Sequence, residues 1–392
     1  MRLLFVSNLF PDQEEPYRGL DNATLLHALR DRSEIHTLAL RPTLPWSRKT
    51  WKARPEDAAL RPRFQRVSYI PRFGHRWNHL LYARSMRRAF SDLRQQAPFD
   101  AVLASWLYPD ACAVARLLKD APERFVAVAQ GTDVHHYLRI PARRAIITRE
   151  LRRAQAIITR SGELARLLED AGLPAGQLHP IYNGVDLDRF HPPTPEERAA
   201  ARESLGLPGT AAVLLFVGNF LPVKNPSLLI SAHAEVVKEP GLRETRLVLV
   251  GGGPLESKMR AQVAAAGTSE RVIFAGRQDA DGVARAMRAA DILTLSSWNE
   301  GVPNVILEAF ASGVRVVATR VGGIAEVLTE DELGTLTPAG DIAAFAQALR
   351  DALLAKSDLQ RVAQHGRAFS WQRASAQYQR LLAPTPLLEP TT

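Results

Sequence analysis

The sequence predicts an α/β protein of two doubly wound, Rossmann-like domains, and three observations carry that expectation. Short apolar runs that do not alternate with polar residues recur along the chain, the pattern of strands buried on both faces of a parallel sheet. They alternate with amphipathic helical stretches in two successive series, one for each domain. The 392 residues also exceed what one hydrophobic core usually holds.

The first series places strands at 3–6, 35–40, 101–104, 125–129, 156–159 and 179–182. The second places them at 213–217, 247–250, 272–274, 292–295 and 314–318. Between the two, Tyr182-Asn-Gly-Val-Asp-Leu-Asp-Arg-Phe-His-Pro-Pro-Thr-Pro195 joins an Asn-Gly turn signal to a proline cluster that excludes regular structure. The expected organisation is a first domain over 1–184, a linker over 185–196 and a second domain over 197–365. Phe369-Ser-Trp371 opens an amphipathic run to Leu382, which gives a terminal helix over 366–384. The tail 385–392 is expected to fray.

With 46% hydrophobic and 23% charged residues the chain has the composition of a soluble globular protein. Its single cysteine, Cys112, leaves no internal disulfide and fits a reducing cytoplasm. The opening MRLLFVSNLF carries one Arg and an apolar run too short for a secretory signal, so a buried first strand is expected there. No apolar stretch approaches the ~20 residues that span a bilayer. The formal charge of +9, mostly arginine, favours anionic partners: nucleic acid, acidic lipid or phosphorylated substrates. Well-solvated surfaces in an arginine-rich protein account for it equally.

The most informative stretch is Glu300-Gly-Val-Pro-Asn-Val-Ile-Leu-Glu308. It follows the strand at 292–295 and a polar loop, and Pro303 suits the first turn of a helix. That helix, expected over 303–312, ends at Gly313 and is apolar on nearly every face apart from Glu308, so it should be buried. A carboxylate in such a helix needs a partner, since burying it unpaired costs several kcal/mol. Ligand hydroxyls are one partner. The amide groups around Pro303 to Ile306 form an anion site at the helix N-terminus. Glu300 lies where the carboxyl end of a strand opens, the usual ligand position in open α/β sheets. From the residues alone, an arginine partner for Glu308 and a capping role for Glu300 explain the pattern as well as a ligand does.

This segment resembles the signature of the family-four retaining glycosyltransferases, which have the GT-B fold of two Rossmann-like domains facing across a cleft. Two glutamates with seven residues between them match, as do the intervening Gly-x-Pro, the trailing Glu-Ala-x-x-x-Gly and Val321-Gly-Gly-Ile-Ala-Glu326. The resemblance covers most of the chain, with its specific part in the C-terminal half. It implies that Glu300 contacts the donor sugar and Glu308 the ribose, with the amides of Gly301, Val302, Pro303's neighbour Asn304, and Val305 meeting sugar and diphosphate. The family's Gly-Arg pair and nearby lysine correspond to Gly218-Asn219 and Lys224, so one of two cations on the diphosphate is replaced by asparagine. Phe274-Ala-Gly276-Arg277 matches the edge that packs on the nucleobase through its backbone. Gly251-Gly-Gly-Pro254 lacks the third glycine of a dinucleotide fingerprint and is a family turn.

In the first domain Arg18-Gly19-Leu20 stands where the family often has a glycine pair, and Gln130-Gly131-Thr-Asp133 resembles its His-Gly-x-Asp. Gly19, Gly131 and Asp133 are the implied acceptor-side residues. Trp106-Leu-Tyr-Pro109-Asp110 is similar to a motif of teichuronic-acid-type and other bacterial surface-polysaccharide transferases. The terminal helix matches one that crosses back onto the first domain. The resemblance thus implies metal-independent, retaining transfer from a UDP- or GDP-linked sugar, with no further cofactor, to a glycan or lipid-linked acceptor in exopolysaccharide or cell-surface polysaccharide synthesis. Lys224 and the helix dipole would stabilise the departing diphosphate, and closure of the domains about 183–195 would exclude water.

Other signals are weaker. Asp186-x-Asp188 and Asp279-x-Asp281 have a metal-binding spacing, but the first lies in the linker and N-capping explains the second. The segment 61–94 interleaves nine arginines with Tyr69, Phe73, Trp77 and Tyr82, against one acid, Asp92. Leu80, Ala83, Met86, Phe90 and Leu93 in it lie at helical spacing. A basic amphipathic helix of this kind can dock on the anionic inner face of a membrane, and a core-packing helix with a solvated face reads the same way. Three rival functions remain: a sugar-nucleotide epimerase of the same fold, a scaffold inactivated at Asn219 and Gln130, and a basic nucleic-acid-binding protein. The last has no recognised module, so no nucleic acid is expected.

Overall fold

The computed structural model describes residues 1–44, 49–356 and 358–383. Residue 384 and the tail expected to fray lie outside the described residues. The chain divides into two compact units, the first formed by residues 1–183 with the segment from Trp371 onward, the second by Gly184–Ser370. The stretch expected as a linker belongs to the second unit: Phe190 is buried there, and Arg189 Nε donates to Asp281 at 2.7 Å. The return to the first unit falls at Trp371 rather than 366. Residues before it stay with the second unit because the helix Leu359–Gly366 is pressed onto the helix Asn304–Ala311, where a Cβ on Gly366 would lie 2.3 Å from the Ala311 nitrogen.

The first unit holds a seven-stranded sheet: β1 (Arg2–Ser7), β2 (Glu34–Thr43), β3 (Pro62–Ser68), β4 (Ala101–Ser105), β5 (Arg124–Ala129), β6 (Ala156–Thr159) and β7 (Leu178–Pro180). Its order is β3-β2-β1-β4-β5-β6-β7, and every pairing is parallel. The second unit holds six: β8 (Val213–Val217), β9 (Arg246–Val250), β10 (Val272–Gly276), β11 (Ile292–Leu295), β12 (Arg315–Thr319) and β13 (Gly334–Thr337). Their order is β10-β9-β8-β11-β12-β13, again all parallel.

All eleven expected strands are present, with ends moved by up to three residues. Two strands carried no signal in the sequence. β3 and β13 lie at sheet edges, where one neighbour is missing and one face stays wet, so neither shows a continuous apolar run. β3 even opens on a proline, which an edge tolerates.

The basic segment 61–94 therefore starts as an edge strand and continues as the helix Asn78–Gln96. The helix turns Tyr82, Ala83, Met86, Phe90 and Leu93 into the core beside Leu4, Val6, Leu38 and Leu40. Four of the five stripe residues, Ala83, Met86, Phe90 and Leu93, are thus spent on the fold, as the core-packing alternative expects, while Leu80 stays 38% exposed. The terminal helix Trp371–Leu382 likewise buries Ala374, Tyr378 and Leu382 against Leu3 and Phe5 of the first unit. Among the described residues no helix is long and apolar enough to cross a membrane.

Candidate functional site

In the second unit the strand order runs outward one way from β8 and the other way from β11. Loops leaving two such strands diverge, and the gap between them is where open α/β sheets hold ligands. The loop after β8 carries Gly218, Asn219 and Lys224; the loop after β11 carries Glu300 to Pro303.

These loops are stapled together. Ser296 Oγ donates towards the carbonyls of Lys224 and Asn225, at 3.1 and 2.9 Å, and the Trp298 amide donates to the Val223 carbonyl at 2.8 Å. Thr319 Oγ1 at the end of β12 holds the Ser297 carbonyl at 2.6 Å, and the Gly323 amide reaches Gly301 O at 3.2 Å. The outcome is a close ion pair: Lys224 Nζ lies 2.5 Å from Glu300 Oε1, which also accepts from Ser297 Oγ at 2.6 Å. The Glu300 side chain is 10% exposed and that of Lys224 is 25%, so the pair is shielded yet reachable. A lysine ammonium has three donors, so two remain for a ligand.

Behind Glu300 the helix Asn304–Ala311 begins. Pro303 sits at the N-cap in extended conformation rather than in the first turn, and no side chain caps the helix. Its N-terminal partial charge therefore faces the site. Ile306, Leu307, Ala309, Phe310 and Ala311 are buried, but Glu308 and Val305 are half-buried. This corrects the expectation that Glu308 lies in a helix buried all round: its side of the helix is not sealed by protein.

Gly276 and Arg277, at the end of β10, come to the same loop. Arg277 Nη1 donates to Asn219 Oδ1 at 3.1 Å, and Nη2 lies 3.4 Å from the Gly252 carbonyl. A guanidinium thus stands beside the asparagine that replaces the family's arginine. The side chain, and not only the backbone, of Arg277 belongs to the site. Gly251 is held at φ 145°, and a Cβ there would fall 1.9 Å from Gly218 O. Its job is close approach of two loops, in line with a turn and not a dinucleotide cradle. Asp279 accepts from the Gly282 amide at 2.8 Å as an N-cap. Among the described residues no group of three or more His, Cys, Asp or Glu is placed to hold a metal ion.

The acceptor-side residues of the first unit are loop-formers. Gly19, at φ 63°, starts the helix Leu20–Leu29, where a Cβ would collide with the Leu9 backbone. Gly131 has φ 124°. Asp133 is fully buried, and its oxygens accept from the amides of Leu107, Gln130 and Gly131 at 2.8 to 2.9 Å. Burial raises its pKa, and those three bonds oppose the rise. Asp133 therefore pins the loops after β4 and β5 and offers no free carboxylate, a correction to its expected contact with an acceptor. Gln130 reaches Ser105 Oγ at 2.7 Å and Asn22 Oδ1 at 3.0 Å. Asp110, buried, accepts from the Asn8 amide and Asn8 Nδ2, and desolvation pushes its pKa up to about 7.

Reading the sequence missed Ser297, the side-chain role of Arg277, and Asn8 as the partner of Asp110. Only Ser297 left a trace, as a serine three residues before Glu300. The other contacts join segments 58 and 102 residues apart.

Two all-parallel, Rossmann-like α/β units are the make-up of the GT-B class of fold. Solved structures agree over nearly the whole chain. Anabaena Alr3699/HepE in complex with UDP matches with a TM-score of 0.74 and 20% identity, over 97% of this chain and 99% of that one. Sucrose-phosphate synthase from Thermosynechococcus elongatus matches with a TM-score of 0.75 and 22% identity, over 97% and 98%. Residues 23–189 match the model of Glycosyltransferase Family 4 and residues 197–369 that of Glycosyl transferases group 1, so the chain carries both glycosyltransferase family domains. Among curated relatives, a D-inositol 3-phosphate glycosyltransferase 2 of Catenulispora acidiphila is 38% identical over 227 residues, 55% of this chain and 52% of the relative. A D-inositol 3-phosphate glycosyltransferase of Saccharomonospora viridis is 36% identical over 235 residues, 54% of each. The chain spans about half the length of the curated relatives it matches.

Proposed function

We propose that this protein is a retaining glycosyltransferase that moves a sugar from a UDP- or GDP-linked donor to a glycan or lipid-linked acceptor in surface-polysaccharide synthesis. The observation that carries this is the Lys224–Glu300 pair beside the uncapped N-terminus of Asn304–Ala311. A nucleotide-sugar needs cationic donors at its diphosphate and carboxylates at its hydroxyls, and the switch point of the second unit offers both. The presence of UDP in the HepE complex and the two family domains support the donor class.

In this reading the sugar–phosphate bond breaks through an oxocarbenium-like transition state. Negative charge grows on the leaving diphosphate and is met by Lys224, Arg277 and the helix dipole, so transfer proceeds without a metal ion. Glu300 holds Lys224 and takes a sugar hydroxyl; Glu308, half-open on its helix, takes the ribose. The acceptor hydroxyl attacks from the face the diphosphate leaves, and configuration is kept.

Thermal-shift titration with UDP, GDP and their sugars, followed by turnover assays in EDTA, tests the proposal. One donor should stabilise the wild type and EDTA should leave turnover intact. Glu308→Ala should abolish turnover with every donor; near-wild-type activity of that variant would sink the assignment.

Where the acceptor is lipid-linked, the protein works at an anionic membrane face. What supports this is the loop before Asn78–Gln96, not the helix's apolar stripe. Phe73 is 78% and Trp77 55% exposed, Arg72, Arg76, Arg84, Arg87 and Arg88 of the same segment are exposed as well, and the segment's one acid, Asp92, is taken by Arg63. Exposed aromatics among arginines are an interfacial pattern.

A further inference from the structure

At the amino edge of the second unit's sheet, opposite the end that carries Lys224 and Glu300, lies a cavity of about 540 Å³. It opens where β8, β11 and β12 begin, so those strands of four or five residues, roughly 15 Å long, separate it from the donor site. Arg198 and Arg202, from the helix Pro195–Ser204, line it together with Asp291 and Arg315; Leu353 and Leu359 supply apolar wall.

The charges do not balance. Asp291 Oδ1 takes Arg198 Nη2 at 2.6 Å, and Oδ2 takes Arg202 Nη2 at 3.0 Å and the Val213 amide at 2.8 Å. This single carboxylate is thereby used up by two guanidiniums and a backbone donor. The third guanidinium, Arg315, gives Nη2 to the Asp331 carbonyl at 3.0 Å. Its Nε and Nη1 are buried and have no acceptor among the described residues. Buried donors of a group that stays charged are costly to leave unmet. Arg198 and Arg202 give further donors to the carbonyls of Arg288, Ala289, Ala290 and Gly209, so their positions are fixed by the protein. In formal charge, three guanidiniums against one carboxylate leave a surplus of two.

We propose that this cavity is a binding site for a phosphate-bearing anion, with Arg315 as the residue that recognises it. A doubly charged phosphate matches the surplus, and Arg315 is the lining guanidinium whose donors the protein uses least. The volume exceeds that of inorganic phosphate and lies within the range of small-molecule sites, so the phosphate can be free or carried on a small organic body against Leu353 and Leu359. The site is independent of the donor reading, since it rests on a different set of residues at the other end of the strands.

Calorimetric titration of the full chain with inorganic phosphate and with glucose 6-phosphate, at ionic strength fixed with sodium chloride, tests it. Wild type and Lys224→Ala should bind at least one of the two, and Arg315→Gln should bind it at least about tenfold more weakly while keeping its affinity for UDP or GDP. Tighter binding of glucose 6-phosphate identifies an organic phosphomonoester as the source; equal or tighter inorganic phosphate identifies the free ion. Should Arg315→Gln fail to fold, Arg315→Lys keeps the charge, loses the fork and should show the same loss. Binding abolished by Lys224→Ala and untouched by either Arg315 variant places the phosphate in the donor site and overturns the proposal. So does a wild type that binds neither probe.

Discussion

Lys224 and Glu300, 76 residues apart in the chain, meet at 2.5 Å because β8 and β11 are neighbours at a reversal of strand order. Each was a candidate alone; the structure makes them one device. Glu300, with Ser297 behind it, holds the ammonium, whose side chain stays 25% exposed. Fixed donors of this kind contribute about 10²–10³ in rate in known sites. Lys224→Ala should lower kcat by about that factor with a smaller change in donor KM. Residues acting as one unit are not additive, so Lys224→Ala/Glu300→Gln should be little worse than the poorer single variant. Losses that multiply in full would mean the two act separately.

Arg277 beside Asn219 answers the missing family arginine. Under the proposed function, the cation at the diphosphate comes from β10 instead of from the residue after Gly218. A charge-assisted hydrogen bond to phosphate is worth roughly 1.5–3 kcal/mol, so Arg277→Ala should raise donor KM by about 10- to 100-fold. Asn219→Arg in that background should recover part of the loss, because it returns a guanidinium to the same loop. If Arg277 served the nucleobase through its backbone only, truncating its side chain would leave KM unchanged.

The exposed loop of the first unit gives a membrane prediction with its own control. A cation near an anionic bilayer is worth about 1 kcal/mol, so Arg72→Gln/Arg76→Gln should weaken co-sedimentation with vesicles rich in anionic lipid by roughly tenfold or more. Phe73→Ser/Trp77→Ser should weaken it as well, by removing interfacial anchors. Added salt should reduce the effect of the arginines and spare that of the aromatics. Equal sedimentation with neutral and anionic vesicles would end the membrane reading.

How much of this was legible depends on where a contact's information lies. Central strands announce themselves because burial on both faces demands unbroken apolar runs, so β8 and β11 were readable, though not that they are neighbours at the reversal of strand order. β3 and β13 were not: both are edge strands of mixed polar sequence with half-buried or exposed side chains among them, whereas the edge strand β10 still carries an apolar run. Glu300, Lys224 and Glu308 were readable from local chemistry and motif, but the Lys224–Glu300 bond was not, since nothing local specifies which loops adjoin. The opposite error occurred at Asp133. A conspicuous acid beside glycine looked ligand-facing, yet the glycine's positive φ turns the loop so that backbone amides close around the carboxylate. The apolar stripe of Asn78–Gln96 was legible as a stripe, and only packing could say that all of it but Leu80 joins Leu4 and Val6 in the core.

Asp110 offers the last test, through pH. Its carboxyl is buried with Asn8 as partner, and its pKa stands at about 7 against an ordinary 3.8. Between those two values the folded protein holds a proton that the unfolded chain has released. Folding therefore takes up a proton, and Asp110's cost to stability is relieved as pH falls from above 7 towards 4 and is full above 7. Asp110→Asn has nothing to titrate there and serves as the reference. From pH 6 to pH 8 the wild type should lose about 1.4 kcal/mol of unfolding free energy relative to that variant. His79 and His233, buried and depressed to about 4, also bind protons on unfolding in the acid part of this window. Both proteins carry them, so they cancel in the difference. Denaturant melts at pH 6, 7 and 8 decide the matter: curves that run parallel across this range would show that Asp110 does not titrate near 7.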